Sequence, residues 1–258
     1  MCGRFSLFAG DDELVSAFEL DLLEGENAGP RYNLAPSQDA RVVLERIVEQ
    51  PDADSVLRSR VVRKGRYLKW GLVPSWAKDA KRPMINARAE TVTEKPMFRA
   101  AALRRRCLVP ANGYYEWQTS ETGRKTPWFL SAGEGDPLMS FAGVYEAWRD
   151  PAVPEDDPAG AWLLTFAILT RSAPDALGVI HDRTPVVVPP DLRGDWLDPA
   201  LIDKAETTAD LIEAERDVHV LYGCARSPPA QVVEEVFCNE GRLGRDAILR
   251  EIDGTLRR

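Results

Sequence analysis

Apolar residues recur along the chain in short runs, many of them alternating with polar residues, and this pattern predicts strands more often than helices. The predicted strands cover residues 5–8, 41–48, 56–62, 66–72, 107–110, 126–131, 138–145, 162–170, 186–188 and 218–222. Residues 56–62 and 66–72 are predicted to pair around a turn at Lys64-Gly65. Residues 111–117 read as a turn that leads into an aromatic strand.

Helical spacing is confined to four segments, which are residues 11–20, 97–105, 199–215 and 247–252. Residues 21–30 and 149–160 are predicted loops, and residues 31–38 are predicted to be irregular. Strand-rich segments with isolated helices indicate an α+β fold. We therefore predict a single domain, residues 1–258, around a curled, mostly antiparallel β-sheet or barrel with peripheral helices.

The charge distribution adds a candidate surface. The 258-residue chain has a net charge of −8, yet residues 58–106 carry +12 and the remainder carries −20. A basic middle in an acidic protein predicts one anion-binding face. Charges scattered over several solvated faces are the alternative, and the sequence leaves both open.

The number and spacing of the cysteines and histidines limit which metal sites and disulfides the chain could form. The four cysteines form no C-x-x-C pair and there are only two histidines, which argues against a zinc site. No apolar run is long enough to span a membrane, and no signal-peptide segment is recognisable. We expect reduced thiols, a cytoplasmic protein, and no metal, cofactor or membrane partner.

Cys2 is the strongest chemical candidate. Removal of Met1 would leave Cys2 with an α-amine and a thiol on adjacent carbons, with pKa values of about 8 and about 8.5. The amine can form a Schiff base with an aldehyde, and the thiolate can close on the imine carbon to give a thiazolidine ring. Arg4 would lower the pKa of the thiol or hold an anion. A small buried core cysteine is the alternative.

Four further side chains are candidates. Glu116 lies between two aromatic residues, which would raise its pKa and suit an acid or base, although it could instead face outward. His181 precedes an Asp-Arg pair and suits proton transfer or anion binding, although most such histidines are structural. Trp70 and Trp76 suit stacking on bases, with core packing as the alternative.

These motifs together resemble the SRAP family (SOS-response-associated peptidase fold, abasic-site processing). The matching segments follow the family order and span most of the chain: residues 1–5, 32–38, 70–76, 86–91, 106–117, 141–148 and 181–185. Each segment alone is a weak signal, whereas the ordered set is highly specific. Thr184 departs from the family, which often has Met there, so contacts at this position are expected to differ.

The resemblance implies a sensor of abasic sites in single-stranded DNA. Cys2 would form a thiazolidine crosslink after Met1 removal and protect the lesion in the DNA damage (SOS) response. The resemblance also implies that Asn86 orients the N-terminus and the sugar. Glu116 would transfer protons, and His181 would act on the sugar and the ring chemistry.

The same resemblance implies a DNA-binding surface and a partner. Arg4, Arg88 and Arg183 would hold phosphates, and Trp70 or Trp76 would pack against bases. The chain is expected to act as a monomer that associates with the nucleoid when bound to DNA. The family's peptidase label implies hydrolase or self-cleaving activity beside the lyase-type Schiff-base chemistry, but ordinary removal of Met1 suffices here.

Two other functions remain open from the residues. An N-terminal-nucleophile amidotransferase or hydrolase would use Cys2 on a glutamine amide, with Asn112-Gly113 as an oxyanion hole. A non-covalent reader of modified DNA would use the same Arg and Trp residues and would leave Cys2 inert.

Overall fold

The computed structural model describes residues 2–51, 57–132, 138–154, 162–173, 180–201, 205–214 and 222–223. Its strands are, in chain order, β1 (Arg4–Leu7), β2 (Leu22–Leu23), β3 (Arg31–Leu34), β4 (Asp39–Pro51), β5 (Leu57–Trp70), β6 (Asn86–Arg88), β7 (Arg106–Ala111), β8 (Gly113–Thr119), β9 (Lys125–Ala132), β10 (Met139–Arg149), β11 (Trp162–Ser172), β12 (Arg183–Pro185) and β13 (Tyr222–Gly223). Its helices are α1 (Asp11–Phe18), α2 (Arg99–Arg104), α3 (Arg193–Leu197) and α4 (Ala205–Ala214), with 3₁₀ turns at Ala89–Thr91 and Pro190–Leu192.

Five strands close into a ring. β11 pairs with β10, β10 with β7, β7 with β4, and β4 with β5, all antiparallel. β5 then pairs in parallel with β11 through Lys69↔Thr165 and Trp70↔Phe166. This arrangement confirms the predicted α+β class with a curled, mostly antiparallel sheet or barrel.

A second sheet holds the first strand in its interior. Its strand order is β13-β9-β8-β1-β3, so β1 lies between β8 and β3. Phe5 pairs with Tyr114 on one side and Leu34 on the other. The Phe5 ring packs edge-on against Trp70 and Phe141, at centroid distances of 5.1 Å and 6.3 Å. These contacts fix the chain only three residues after Cys2.

Two short strands flank the end of β11. β6 pairs with β11 in parallel and β12 pairs with it antiparallel. Thr170 lies opposite Arg88 of β6 on one side and Pro185 of β12 on the other. β11 therefore brings together two segments that are almost 100 residues apart in the chain.

The predicted turn at Lys64-Gly65 is wrong. β5 runs unbroken through both residues and pairs with β4 from Pro51↔Leu57 to Asp39↔Lys69. Gly65 allows the side chain of Leu23 to pack closely against the backbone of β5, because a Cβ at residue 65 would lie 2.5 Å from a methyl carbon of Leu23. The glycine thus admits the segment that contains β2, and it does not mark a reversal of the chain.

Smaller corrections concern segment boundaries. Residues 31–34 form β3 although an irregular segment was predicted, and the predicted loop 21–30 contains β2. The helix predicted for residues 11–20 ends at Phe18, where Glu19 adopts a left-handed φ of 51°. The strand predicted at 186–188 is represented only by a bridge between Val187 and Phe141. The predicted helix at 247–252 and residues 218–221 lie outside the described residues.

Within the residue ranges given above, no helix is both long and apolar enough to cross a bilayer.

Arg106 attaches the C-terminal helices to the ring. Its buried guanidinium donates to the carbonyl oxygens of Trp196 at 2.8 Å, Asp198 at 3.0 Å and Leu201 at 2.9 Å. Burial lowers the pKa of this guanidinium, but arginine remains protonated at neutral pH. One buried cation therefore satisfies carbonyl groups at the end of α3 and in the segment after it.

Arg106→Ala should lower the free energy of unfolding by about 3 kcal/mol or more, because it leaves several buried carbonyl groups without donors. Urea denaturation measures the change. Arg99→Ala is a matched control, since Arg99 is exposed in α2, and it should cost less than about 0.5 kcal/mol. A loss below about 1 kcal/mol for Arg106→Ala would contradict this role.

Candidate functional site

Cys2 lies directly before β1 and is completely buried. Its carbonyl oxygen accepts a hydrogen bond of 2.8 Å from Asn86 Nδ2. The sulfur lies 4.0 Å from the carbonyl oxygen of Arg4. The end of the chain is therefore held by both its backbone and the strand that follows it.

Glu116 is on β8, one residue past the Arg4↔Tyr115 pair, so the antiparallel register places it beside the residues that precede β1. The residue is 3% exposed. Burial raises the pKa of its carboxyl group, while positive charge at the amino terminus and at His181 acts in the opposite direction. The carboxyl group can thus hold a proton at a pH where an exposed glutamate would have lost it.

The pKa of the Cys2 thiol is not lowered, contrary to the expectation from the nearby Arg4 cation. Burial raises the pKa of this thiol well above its ordinary value, and the negative charge of Glu116 raises it further. The prediction that the Arg4 cation lowers the pKa of the thiol is wrong. Arg4 acts on the thiol only through its backbone carbonyl oxygen, while its guanidinium donates to Asn33 Oδ1 at 2.7 Å. The thiol is neutral in this state and needs a base before it can attack.

Asn86 is on β6 and faces Cys2. Its amide nitrogen holds the Cys2 carbonyl group, but its Oδ1 atom is buried and has no hydrogen-bond partner among the described residues. A buried acceptor without a donor is costly. This oxygen is therefore available to a donor on a bound ligand or on the N-terminus.

His181 lies just before β12. Its Nδ1 atom is 3.0 Å from the backbone nitrogen of Arg183 and 2.8 Å from Asp182 Oδ1. In the first contact Nδ1 accepts a hydrogen bond and must be unprotonated. In the second contact Nδ1 would have to carry a proton and donate it to the carboxylate oxygen. Since the Asp182 side chain is 85% exposed and solvated, the backbone contact sets the tautomer whenever the ring is neutral and leaves its proton on Nε2; only the protonated ring carries the charge that acts on Glu116.

The structure brings Cys2, Asn86, Glu116 and His181 together. Asn86 contacts the Cys2 backbone, the charge of Glu116 acts on the Cys2 thiol, and the charge of His181 acts on Glu116. The side chains come from β6, β8 and the turn before β12. The buried aminothiol end of the chain is therefore surrounded by an amide, an acid and an imidazole.

The three predicted phosphate-binding arginines have different environments. Arg88 is exposed. Arg4 is half-buried against Asn33. Arg183 is engaged by Glu90, with bonds of 2.6 Å and 2.9 Å to the two carboxylate oxygens. Among the three, Arg88 is the most open to a phosphate.

The two candidate tryptophans separate clearly. Trp70 is 1% exposed, stacks on Phe166 and donates to the carbonyl oxygen of Ile85. Trp76 is 65% exposed. Trp70 is thus a core residue with no ring face open to a base, and the stacking interpretation is favoured only for Trp76.

Acidic neighbours offset much of the basic stretch. The ion pairs along β5 are Arg60–Asp21, Arg63–Glu45, Lys64–Glu24, Arg66–Glu24 and Lys69–Asp39. Lys78, Arg82 and Arg88 are exposed and form no ion pair within the described part of the chain. Lys95 and Arg99, just before and in α2, are likewise exposed and without an ion pair among the described residues, so the available cations of this stretch lie on the loop with Trp76, on β6 and at α2.

Two residues near the site have structural partners. Thr184 Oγ1 is 2.9 Å from the hydroxyl oxygen of buried Tyr114, so its polar side chain is satisfied inside the fold. Asn112 Oδ1 accepts from the backbone nitrogens of Phe8 and Ala9 at 2.7 Å and 3.1 Å. Asn112 therefore supports the turn after β1.

Sequence reasoning missed the role of Glu90. It lies inside the segment 86–91 that was singled out, but only the structure identifies Arg183 as its partner. The hydrogen bonds from Arg183 lower the pKa of the Glu90 carboxyl group to about 2. Over the described ranges, no three or more His, Cys, Asp or Glu side chains are grouped as metal ligands.

The chain is similar to proteins of one known family. The model of the SOS response associated peptidase (SRAP) family matches residues 1–222. The abasic site processing protein YoqW of Bacillus subtilis is 39% identical over 207 residues, which cover 79% of this chain and 83% of that protein. The abasic site processing protein HMCES of Gallus gallus is 30% identical over 249 residues, covering 83% of this chain and 70% of that protein.

Solved structures show the same fold. A crystal structure of a protein from Bacteroides thetaiotaomicron superposes with a TM-score of 0.63 at 23% identity. The match covers 82% of this chain and 86% of that one.

Glu90→Gln should destabilise the protein at neutral pH and have little effect near pH 2. The folded pKa of Glu90, about 2, lies below its ordinary value of 4.5. The stabilisation is therefore complete above the unfolded pKa and is lost as the pH falls through about 2. We expect a difference of about 1 kcal/mol at neutral pH, since the side chain is one-third exposed and screened. Urea denaturation across this range measures it, and a pH-independent difference would contradict the assignment.

Proposed function

The chain belongs to the SOS response associated peptidase (SRAP) family, and from that premise we propose that it captures abasic sites in single-stranded DNA through a covalent bond to Cys2. The observation that carries the proposal is the burial of Cys2 among Asn86, Glu116 and His181. The curated relatives named above are abasic site processing proteins. An abasic sugar opens to an aldehyde, which is the partner that an N-terminal aminothiol requires.

The first step is formation of a Schiff base. Removal of Met1 leaves the α-amine on Cys2. The amine nitrogen adds to the aldehyde carbon, and the resulting carbinolamine loses its hydroxyl group as water. Glu116, whose raised pKa favours the protonated form relative to an exposed glutamate, donates the proton that this hydroxyl group needs to leave. We assign assistance in opening the sugar to His181, whose charge acts on the Glu116 carboxyl group.

The second step closes the ring. Glu116, now a carboxylate, accepts the proton of the neutral Cys2 thiol, and the sulfur attacks the imine carbon. Because loss of water has left the Schiff-base nitrogen protonated, this attack gives the neutral ring amine directly, and the thiol proton remains on Glu116, which returns to its starting state. The balance is one aldehyde and one aminothiol giving one thiazolidine and one water. The bond from Asn86 to the Cys2 carbonyl group holds the backbone while both nucleophiles react in turn.

Single-stranded DNA is proposed to approach along the exposed loop with Trp76. A base stacks on the Trp76 ring while Lys78, Arg82 and Arg88 lie near phosphates. Arg88 is two residues after Asn86 on the same strand, so this path leads to Cys2. We propose that the protein acts as a monomer in the cytoplasm and associates with the nucleoid when bound to damaged DNA.

Two other functions are weighed against this proposal. The amidotransferase hypothesis assigns its oxyanion hole to Asn112, a buried residue whose Oδ1 atom holds the backbone of Phe8 and Ala9. The non-covalent reader predicts that Cys2 is dispensable. The buried acid beside Cys2 favours covalent capture over either alternative.

Wild-type protein mixed with single-stranded DNA that carries one abasic site should give a heat-stable retarded band on a denaturing gel. Cys2→Ala should give no such band, because it keeps an α-amine but lacks the thiol that closes the ring. Borohydride added during the reaction should restore a band for Cys2→Ala, since it reduces the Schiff base. Absence of a wild-type band, with Met1 shown by mass spectrometry to be removed, would contradict the proposal.

Trp76→Ala should weaken binding of single-stranded DNA by about tenfold, because one base loses its stacking partner. Trp76→Phe is the matched control and should stay within about threefold of wild type, since it keeps an aromatic ring. For about four phosphate contacts, the log–log dependence of affinity on salt should have a slope near −3 in all three proteins. Fluorescence anisotropy measures both. Equal affinity for Trp76→Ala, or a flat salt response, would count against this surface.

A further inference from the structure

Glu90 and Arg183 form a bidentate ion pair across the end of β11. Arg183 Nη1 donates to Glu90 Oε1 at 2.6 Å, and Nη2 donates to Oε2 at 2.9 Å. The Arg183 side chain is 11% exposed and that of Glu90 is 34% exposed. Parallel two-bond pairs of this type fix orientation as well as distance.

The pair also holds the backbone of β11 between its partners. Arg183 Nη2 donates to the carbonyl oxygen of Thr170, and the backbone nitrogen of Ser172 donates to Glu90 Oε1 at 3.2 Å. Arg183 itself pairs with Ser172 in the strand register. The two side chains therefore bind β6, β11 and β12 to one another at their ends.

This connection matters because β6 and β12 are each only three residues long. Strands this short contribute few ladder hydrogen bonds of their own and depend on other contacts for a fixed register. β6 carries Asn86, which holds the Cys2 carbonyl group. His181 precedes β12, and its Nδ1 atom accepts from the backbone nitrogen of Arg183. The ion pair thus connects the turn after β6 with β12, next to the segments that carry both side chains.

The pair also changes what Arg183 can do. Its positive charge is neutralised by the Glu90 carboxylate, whose two oxygens accept hydrogen bonds from both terminal nitrogens of Arg183. A phosphate at Arg183 would have to displace these bonds or accept a repulsive carboxylate beside it. The expected phosphate contact is therefore weaker for Arg183 than for exposed Arg88.

We propose that Glu90 is a positioning residue, which through Arg183 sets Asn86 and His181 against Cys2. This inference rests on the proposed function, since Cys2, Asn86 and His181 are its reacting groups. Glu90 itself touches neither the aldehyde nor the aminothiol. Its loss should slow the chemistry of bound DNA without weakening the affinity for DNA.

The test is single-turnover crosslinking of abasic single-stranded DNA over a range of protein concentrations. It separates the maximal rate from the concentration that gives half of that rate. For Glu90→Ala we expect the maximal rate to fall by about tenfold to a hundredfold, as for a small misplacement of reacting groups. The half-maximal concentration should not rise, because no phosphate contact is lost. Glu90→Gln keeps an acceptor oxygen and should be intermediate in rate.

A double-mutant cycle tests whether the two residues act as one unit. Glu90→Ala with Arg183→Ala should be no slower than the slower single variant. Asp21→Ala is the matched control, because Asp21 also combines an arginine partner, Arg60, with a backbone donor, Arg63. Asp21 is remote from Cys2 in the strand register, and its removal should leave the maximal rate unchanged.

Each outcome separates the proposals. If wild-type protein forms no crosslink, the proposed function fails. If wild type reacts and Glu90→Ala reacts at the same maximal rate, only the positioning role is overturned. A tighter half-maximal concentration at an unchanged maximal rate would show that Glu90 merely shields Arg183 from phosphate. If Glu90→Ala is too unstable to purify, the Glu90→Gln rate at a temperature where it is folded decides, and a wild-type value overturns the inference.

Discussion

The insertion of β1 between β8 and β3 is the constraint on which the site depends. The first residues of a chain are usually poorly ordered unless tertiary contacts hold them. Here Phe5 packs against Trp70 and Phe141 inside the ring, and the Asn86 amide holds the Cys2 carbonyl group. These contacts hold the amine and thiol of Cys2 in a defined geometry. The same groups on a mobile chain end would have no fixed position relative to the other site residues.

Burial has a second consequence, which is the protonation state of the reacting groups. Removal from water disfavours the charged forms of both the Cys2 thiol and the Glu116 carboxyl group, and the negative charge of Glu116 also acts on the thiol. A neutral thiol is a poor nucleophile towards stray electrophiles. The proposed order of steps follows from this: the amine reacts first, and the thiol is activated only after Glu116 has given up its proton.

The sequence alone predicted the fold class and most ring strands, because alternation and continuous apolar runs such as residues 162–170 reflect burial directly. It failed at Lys64-Gly65, since the reason for that glycine is contact with Leu23, which is distant in the chain. Cys2, Asn86, Glu116 and His181 were identified from ordered motifs, and the structure brings them together. Local sequence could not reveal that Trp70 faces the core or that burial raises the pKa of the Cys2 thiol. Nor could it reveal that Glu90 forms an ion pair with Arg183. Each of these depends on contacts between distant segments.

The most direct test of covalent capture by both nucleophiles of Cys2 is mass spectrometry of the adduct with abasic single-stranded DNA. The adduct is denatured and treated with iodoacetamide before digestion. The thiazolidine predicts an N-terminal peptide that begins at Cys2, carries the sugar remnant with loss of one water, and takes up no alkyl group at Cys2. An adduct in which Cys2 is alkylated, or in which the sugar is attached to another residue, would contradict the account.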